Sequence, residues 1–427
     1  MSSKGIWLLQ ALNDKNDAII ARCTRDKSVA QWINSNVSLE HISNSRYEFE
    51  DEYDAVTPLT YACRLSDART VRCIVAGGAD VTAVASLGRT PLHNACQSQI
   101  EAQDKVTFLL NHDTSLNTVT AHDNHNATPL HLAAGVGSTS LISMLVQNGA
   151  KVNERGGDKG ATALHIACEE GYLPTMHELI KFGADVQARN SARQETPLHL
   201  AARANRNSCV KALIESHNAP INAKDADGKT ALHVAARTGN DDVLKTLTSY
   251  QKCEINGKCM TGKTALHYAS EKGHVACVHE LMRRSADVEA RDGDDFRPLH
   301  LAACFNHKAC LKALLENYRA SINAKSQEGH TPLHRAAYAG NAEAVKLLTS
   351  QSSCDLLAKD TRGKSAADLA REENHQGIAS YLMKLTAAKD EQQATPQQST
   401  KQDLFLGMLA SLAASNLTGN QQKTYGR

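Results

Sequence analysis

Three sets of residues have the types and spacing to do chemistry. Gly257-Lys-Cys-Met-Thr-Gly262-Lys263-Thr264 fits the phosphate-loop pattern, in which backbone amides and a lysine cradle a nucleotide's phosphates. Histidine recurs at His93, His131, His165, His199, His233, His267, His300 and His334, enough imidazole to ligate zinc if it converged. Cysteines run from Cys23 to Cys354, and thiols can bind metal, pair as disulfides or attack as nucleophiles.

Context argues against each. A phosphate loop follows a buried strand and opens a long helix. Here Cys253-Glu-Ile-Asn256 reads as a short hairpin arm, and Gly262-Lys263-Thr264 repeats the turn Gly228-Lys229-Thr230. The histidines fall one to a unit, whereas zinc ligands must meet within a few ångströms. Cys63, Cys96 and Cys168 stand where other units have a small alanine, and Cys209, Cys277 and Cys310 recur at one position of a second helix. Both sets are expected to be buried small residues. Cys253 and Cys259 flank a loop and are expected to be exposed. No His-Glu-x-x-His, Cys-x-x-Cys or Gly-x-Ser-x-Gly occurs. No catalytic residue, cofactor or metal site is expected.

The elements around these residues explain their spacing. Thr-Pro/Ala-Leu-His occurs at Thr90–His93, Thr128–His131, Thr162–His165, Thr196–His199, Thr230–His233, Thr264–His267 and Thr331–His334, with Arg297–His300 as a variant. Thr57–Thr60 and Ser365–Asp368 are degraded copies at the ends. The fourth positions step by 33, 38, 34, 34, 34, 34, 33, 34 and 34 residues. Thr is placed to cap a helix, Pro tolerates its first turn, and His can bond back toward the cap in place of the usual Glu. Small pairs such as Ala201-Ala202 and Ala235-Ala236 follow, then a Gly or Asn turn, a second amphipathic helix and a glycine stop as in Gly183-Ala-Asp185. The step of 38 implies an insertion, placed at Gln97–Asp104 and Thr114–Asn126.

Thr-Pro-Leu-His, Ala-Ala and Gly-Ala-Asp-Val at this period resemble the ankyrin repeat, over roughly Asp54–Leu385. The resemblance implies an all-α solenoid of helix-turn-helix units with β-hairpin loops, of about 10–11 repeats. Gly5–Cys23 reads as a further degenerate repeat, and Arg25–Asp54 as a connecting segment. The expected divisions are 1–53 (N-terminal cap and connector), 54–386 (repeats), 387–403 (a disordered, Gln-rich linker) and 404–427 (a short apolar helix from Leu404 to Ser415, then the tail). Ser365-Ala-Ala-Asp368 and Arg371-Glu372-Glu373-Asn374 fit a polar terminal cap.

In ankyrin-like proteins, partners usually meet the hairpin tips and the concave face of the first helices, on which those helices end. Carried over by position, this gives Arg203, Arg237, Glu271, Lys272, Phe305 and Tyr338 at the helix ends, and Phe296 and His330 at the tips. Aromatics make up 4% of the chain, so Phe296, Phe305 and Tyr338 in adjacent units are the expected anchors. A net charge of +1 gives no global pull toward nucleic acid or anionic lipid, and no apolar run reaches membrane-spanning length. Met1–Gln10 lacks the pattern of a secretory leader, and the scattered cysteines fit a reducing compartment. The expected function is a cytoplasmic, non-enzymatic scaffold or adaptor for a protein partner, with the apolar helix 404–415 as a second contact. The alternatives are a bacterial effector secreted into a host cell, still acting through protein binding, and an enzyme with a site on the repeats.

Overall fold

The computed structural model describes residues 11–12, 37–38 and 55–389, apart from 86, 114 and 116. The linker beyond 389 and the apolar stretch 404–415 lie outside the described residues. So does the degenerate repeat Gly5–Cys23, except for Ala11 and Leu12, which are helical and buried. Val37–Ser38 pairs antiparallel with Ala55–Val56.

From residue 57 on, the described chain is a succession of ten helix pairs. The contacts divide it into two compact units, one ending at Ala265 and one starting at Leu266. The first holds the pairs whose first helices start at Pro58, Pro91, Pro129, Ala163, Pro197 and Ala231; the second holds those starting at Ala265, Pro298, Pro332 and Ala366. The last second helix covers 376–389.

Each first helix starts where the sequence places it. The cap threonine is extended, as at Thr196 (φ −90°, ψ 165°), and proline or alanine opens the first turn. Gly239 at φ 77° and Asn205 at φ 58° make the left-handed turn between paired helices, a conformation these two residue types tolerate best. Second helices bury one stripe at fixed positions: Cys209, Val210 and Leu213; Val243, Leu244 and Leu247; Cys277, Val278 and Leu281. First helices bury Leu and the small pair, as with Leu198, Ala201 and Ala202, all at most 1% exposed. The small side chains let neighbouring first helices approach, and truncating one such leucine to alanine costs roughly 3 kcal/mol.

Two of the four extra residues lengthen a helix, and the other two fall in the turn before it and the loop after it. Ala102–His112 has eleven residues, where the second helices of the next four pairs have nine. The loop after it is held by Asp113, whose carboxylate accepts bonds from Ser115 and Thr118. Loop tips close as turns with one or two backbone bonds. Asp225 N donates to Lys229 O at 2.8 Å and Ser326 N to His330 O at 2.9 Å; Gly156 and Ala161 form a β-bridge. Successive tips are joined by single bonds, such as Ala226 N to Arg193 O and Thr361 N to Glu328 O.

The motif histidines join each pair to the next. His199 Nδ1 accepts from the Thr196 amide at 3.2 Å and from its hydroxyl at 2.8 Å. Its Nε2–H donates forward to Lys229 O at 3.0 Å. The same forward bond runs from His93 to Ala127, His131 to Ala161, His165 to Glu195, His267 to Phe296 and His334 to Lys364. His233 and His300 each reach two carbonyls. Burial pushes His93, His165, His233 and His300 down to about 4, and lowers His131, His199 and His334. A buried imidazole holding this tautomer is structural, as its spacing implies.

The box at Arg297 is half-formed. The Arg297 amide donates to His300 Nδ1 at 3.1 Å, but a guanidinium has no acceptor to return the bond. Its side chain pairs instead with Glu289 Oε2 at 2.6 Å. At the first pair, Thr60 replaces histidine and bonds back to Thr57 O at 2.8 Å. At the last, the Asp368 carboxylate accepts from the Ser365 amide and hydroxyl. Neither residue donates forward.

Candidate partner-binding surface

The positions selected from the sequence behave differently in the two units. In the unit ending at Ala265, Arg203 closes the helix Pro197–Arg203 and forms an ion pair with buried Glu195. Burial lowers the Arg203 guanidinium below its usual range, and Arg193 and Arg237 push the same way. Arg237 closes the corresponding stretch of the next first helix and is half-buried. Lys229 Nζ lies 2.7 Å from Asp227 Oδ2, and this bond holds the Asp227 carboxyl below the usual carboxylate range.

The unit starting at Leu266 carries the rings. Phe305 follows the helix Pro298–Cys304 and is 50% exposed; Tyr338 ends Pro332–Tyr338 and is 43% exposed. Lys272 Nζ pairs with Glu271 at 3.1 Å and sits 6.0 Å from the Phe305 ring centre. The Glu271 carbonyl accepts from His307 Nε2 at 2.8 Å. Phe296 is only half-buried at its tip, because Arg335 covers it: the guanidinium carbon lies 4.8 Å from the Phe296 ring centre and 5.6 Å from that of Tyr338.

His330 corrects the expectation of a presented side chain. It is 4% exposed, and its ring stacks at 5.9 Å on His334. Nδ1 lies 3.3 Å from Glu328 and Nε2 3.5 Å from Asp360. Burial lowers its pKa, so near neutral pH it is an uncharged wall residue. The wall belongs to a cleft of about 370 Å³ also lined by Glu328, Arg335, Tyr338, Arg362 and Glu373.

Other chemical candidates resolve as structure. Gly262 turns the chain at φ 75° in a tip closed by Cys259 N to Lys263 O, and turns, not a strand, precede it. Cys63, Cys96, Cys168, Cys209, Cys277 and Cys310 are buried, and burial raises the Cys63 thiol to about 12. Cys259 is buried too, against expectation, in a tip bonded to the preceding one through Met260 N and Asp227 O; Cys253 is half-buried. Among the described residues, no group of three or more His, Cys, Asp or Glu could hold a metal. None of their helices is long and apolar enough to cross a membrane.

Three side chains escaped sequence reasoning. Glu195 gave no signal, since a tip glutamate reads as solvated. Lys105 also read as surface, yet it is fully buried, with Nζ donating to Cys63 O at 2.9 Å and to Ser98 Oγ at 2.7 Å. Arg335 did carry a signal. It follows the motif histidine, where six of the other seven histidine units have Leu132, Ile166, Leu200, Val234, Tyr268 and Leu301, and the seventh has Asn94.

A family model described as ankyrin repeats (3 copies) matches residues 25–120, 117–190, 189–259, 251–326 and 299–393. The chain belongs to the ankyrin-repeat family. Ankyrin repeats are in general protein–protein interaction modules and typically non-enzymatic. Among characterised proteins, alpha-latrotoxin-Lg1a of Latrodectus geometricus is similar, 29% identical over 82 residues, which is 19% of this chain and 6% of the toxin. This ankyrin-repeat chain thus spans a small fraction of that relative's length.

Proposed function

We propose that this ankyrin-repeat chain is a non-catalytic scaffold or adaptor that grips a protein partner through the ends of its first helices and its loop tips. The observation that carries the reading is the exposure of Phe305 and Tyr338, 50% and 43%, in successive repeats of a chain with 4% aromatics. Exposed rings on a pre-formed frame lose little freedom on binding and bury a large area. Phe296, Phe305 and Tyr338 are the anchors, with Lys272 and Glu271 on their rim. Arg203 and Arg237 belong to a second, charged patch that steers encounter more than it holds the complex. The repeats occupy 54–386, and the apolar stretch 404–415 offers a second contact. The regularly placed buried thiols support a reducing, cytoplasmic setting.

The test is a pull-down with the full chain, repeated with 387–427 removed and with Phe296, Phe305 and Tyr338 all changed to alanine. The triple variant keeps its helicity by circular dichroism and loses the partner that the wild type retains. Retention of every partner at undiminished affinity removes these residues as the anchor.

A further inference from the structure

Arg335 occupies a position that is apolar in most other units, and its surroundings do not complete it. Its guanidinium lies against the Phe296 and Tyr338 rings, and its hydrogen-bond partner is a sulfur, Cys304 Sγ, at 3.3 Å. No carboxylate among the described residues lies within ion-pair distance of it. Two rings hold a guanidinium in place without using its in-plane N–H groups. The groups that Cys304 does not engage remain able to make a forked bond to an incoming oxyanion.

Two carboxylates around the cleft, Asp360 and Glu372, are committed elsewhere. Asp360 accepts from the Arg362 and Lys364 amides at 2.8 Å and faces Arg362 Nε at 3.5 Å. Glu372 pairs with Lys364, and Glu328 lies 3.3 Å from His330. Glu373 is exposed on the rim and opposes an incoming anion, so the carboxylate must be held at Arg335 itself. Three other half-buried arginines meet carboxylates, Arg89 with Asp123, Arg203 with Glu195 and Arg297 with Glu289, while Arg64 bonds the Gln97 amide oxygen and Arg189 backbone carbonyls.

We infer that Arg335, aligned by Phe296 and Tyr338, is the docking point for a carboxylate of a peptide partner whose neighbouring apolar side chain rests on Tyr338 and Phe305. The inference rests on the anchor surface proposed above and adds the partner's chemistry. The carboxylate can come from an Asp or Glu side chain or from a chain terminus, and the test separates them.

The probe is a library of random peptides displayed on phage, once with free C-termini and once with linked ones, selected on the full wild-type chain. Selected peptides carry an acidic residue beside an apolar one, or a required free C-terminus. Their affinity falls about tenfold or more with Arg335→Gln and with Arg335→Met, as expected for a lost charge-assisted pair. Changing Arg335→Glu restores binding to peptides whose acidic residue is replaced by lysine. Thermal melts of all three variants check the fold. Peptides that need Phe305 and Tyr338 but show no acidic preference, and bind Arg335→Gln as they bind wild type, overturn this inference and leave the anchor surface standing. Selection of basic peptides overturns it as well. Peptides indifferent to Phe305→Ala and Tyr338→Ala overturn both.

Discussion

In the unit ending at Ala265, Arg89 is held by Asp123, Arg203 by Glu195 and Lys229 by Asp227. In the unit starting at Leu266, Arg335 is held by two rings, and Phe305 and Tyr338 stand in solvent. Both units use the same cap, the same histidine and the same small pair. The frame is therefore satisfied internally by repeating residues, and the positions left over are free to differ. Where their charges find partners inside the chain, they serve stability; the rings left open are the ones proposed above to serve recognition.

The strongest challenge to the shared half of this comparison is acid. An unfolded imidazole titrates near 6.5, while His93, His165, His233 and His300 are pushed down to about 4 in the fold. Between those values the unfolded chain binds protons that the folded chain refuses. Stability is full above about pH 6.5 and falls as the pH drops toward 4, by up to about 3 kcal/mol for each imidazole. Urea denaturation at pH 7, 5.5 and 4.5 should show the midpoint falling steeply. A constant midpoint would mean that the histidines do not tie repeat to repeat.

A smaller effect separates paired from unpaired charge. Glu195→Gln weakens the partner of a half-buried guanidinium and should lower stability by about 2 kcal/mol, read from denaturant midpoints. Arg335→Gln should change stability by less than half as much, because no carboxylate is orphaned. Equal losses would erase the distinction between the two units.

Lys105 sharpens the picture of the first unit from the alkaline side. Burial pulls its ammonium down to about 8. Between there and its unfolded value near 10.5 the unfolded chain holds the extra proton, so this lysine adds stability as pH rises through that window. The gain is at most roughly 3 kcal/mol, and competing thiol and phenol titrations reduce what is seen. The difference between wild type and Lys105→Met isolates it, and parallel pH curves for the two proteins would refute it. The smallest effect belongs to the rings: Phe305→Ala should move the thermal midpoint hardly at all, within about 0.5 kcal/mol, while weakening binding.

What could be read in advance follows the same division. Helix starts, turns and the buried stripe were legible because each unit repeats the same solution, so a threonine cap or a left-handed glycine is stated many times over. The fold as an ankyrin solenoid was therefore readable from the spacing of Thr-Pro-Leu-His alone. The site was less so, because it lives in the exceptions. The exposure of Phe305 and Tyr338 agrees with their position in the repeat, whereas the burial of His330 does not. A tip residue is ordinarily solvated, and nothing in its own sequence shows that Glu328 and Asp360 would enclose it. Lys105 and Glu195 were invisible because their partners lie on other elements, Cys63 on a helix of the preceding pair and Arg203 at the far end of the helix that follows Glu195. The added helical residues at Ala102–His112 were placed in loops, since insertions are tolerated there most easily.

The forward bond from each imidazole gives the array a polarity. Shorten the chain from its C-terminal end and the new last unit keeps an Nε2–H that has lost its carbonyl, on an apolar face laid open to water. Shorten it from the other end and the orphan is a carbonyl at a loop, which water can satisfy. Asp368, an acceptor where the others donate, closes the series without a dangling proton. Fragments ending in that aspartate unit should therefore outlast fragments of equal length that end in a histidine one.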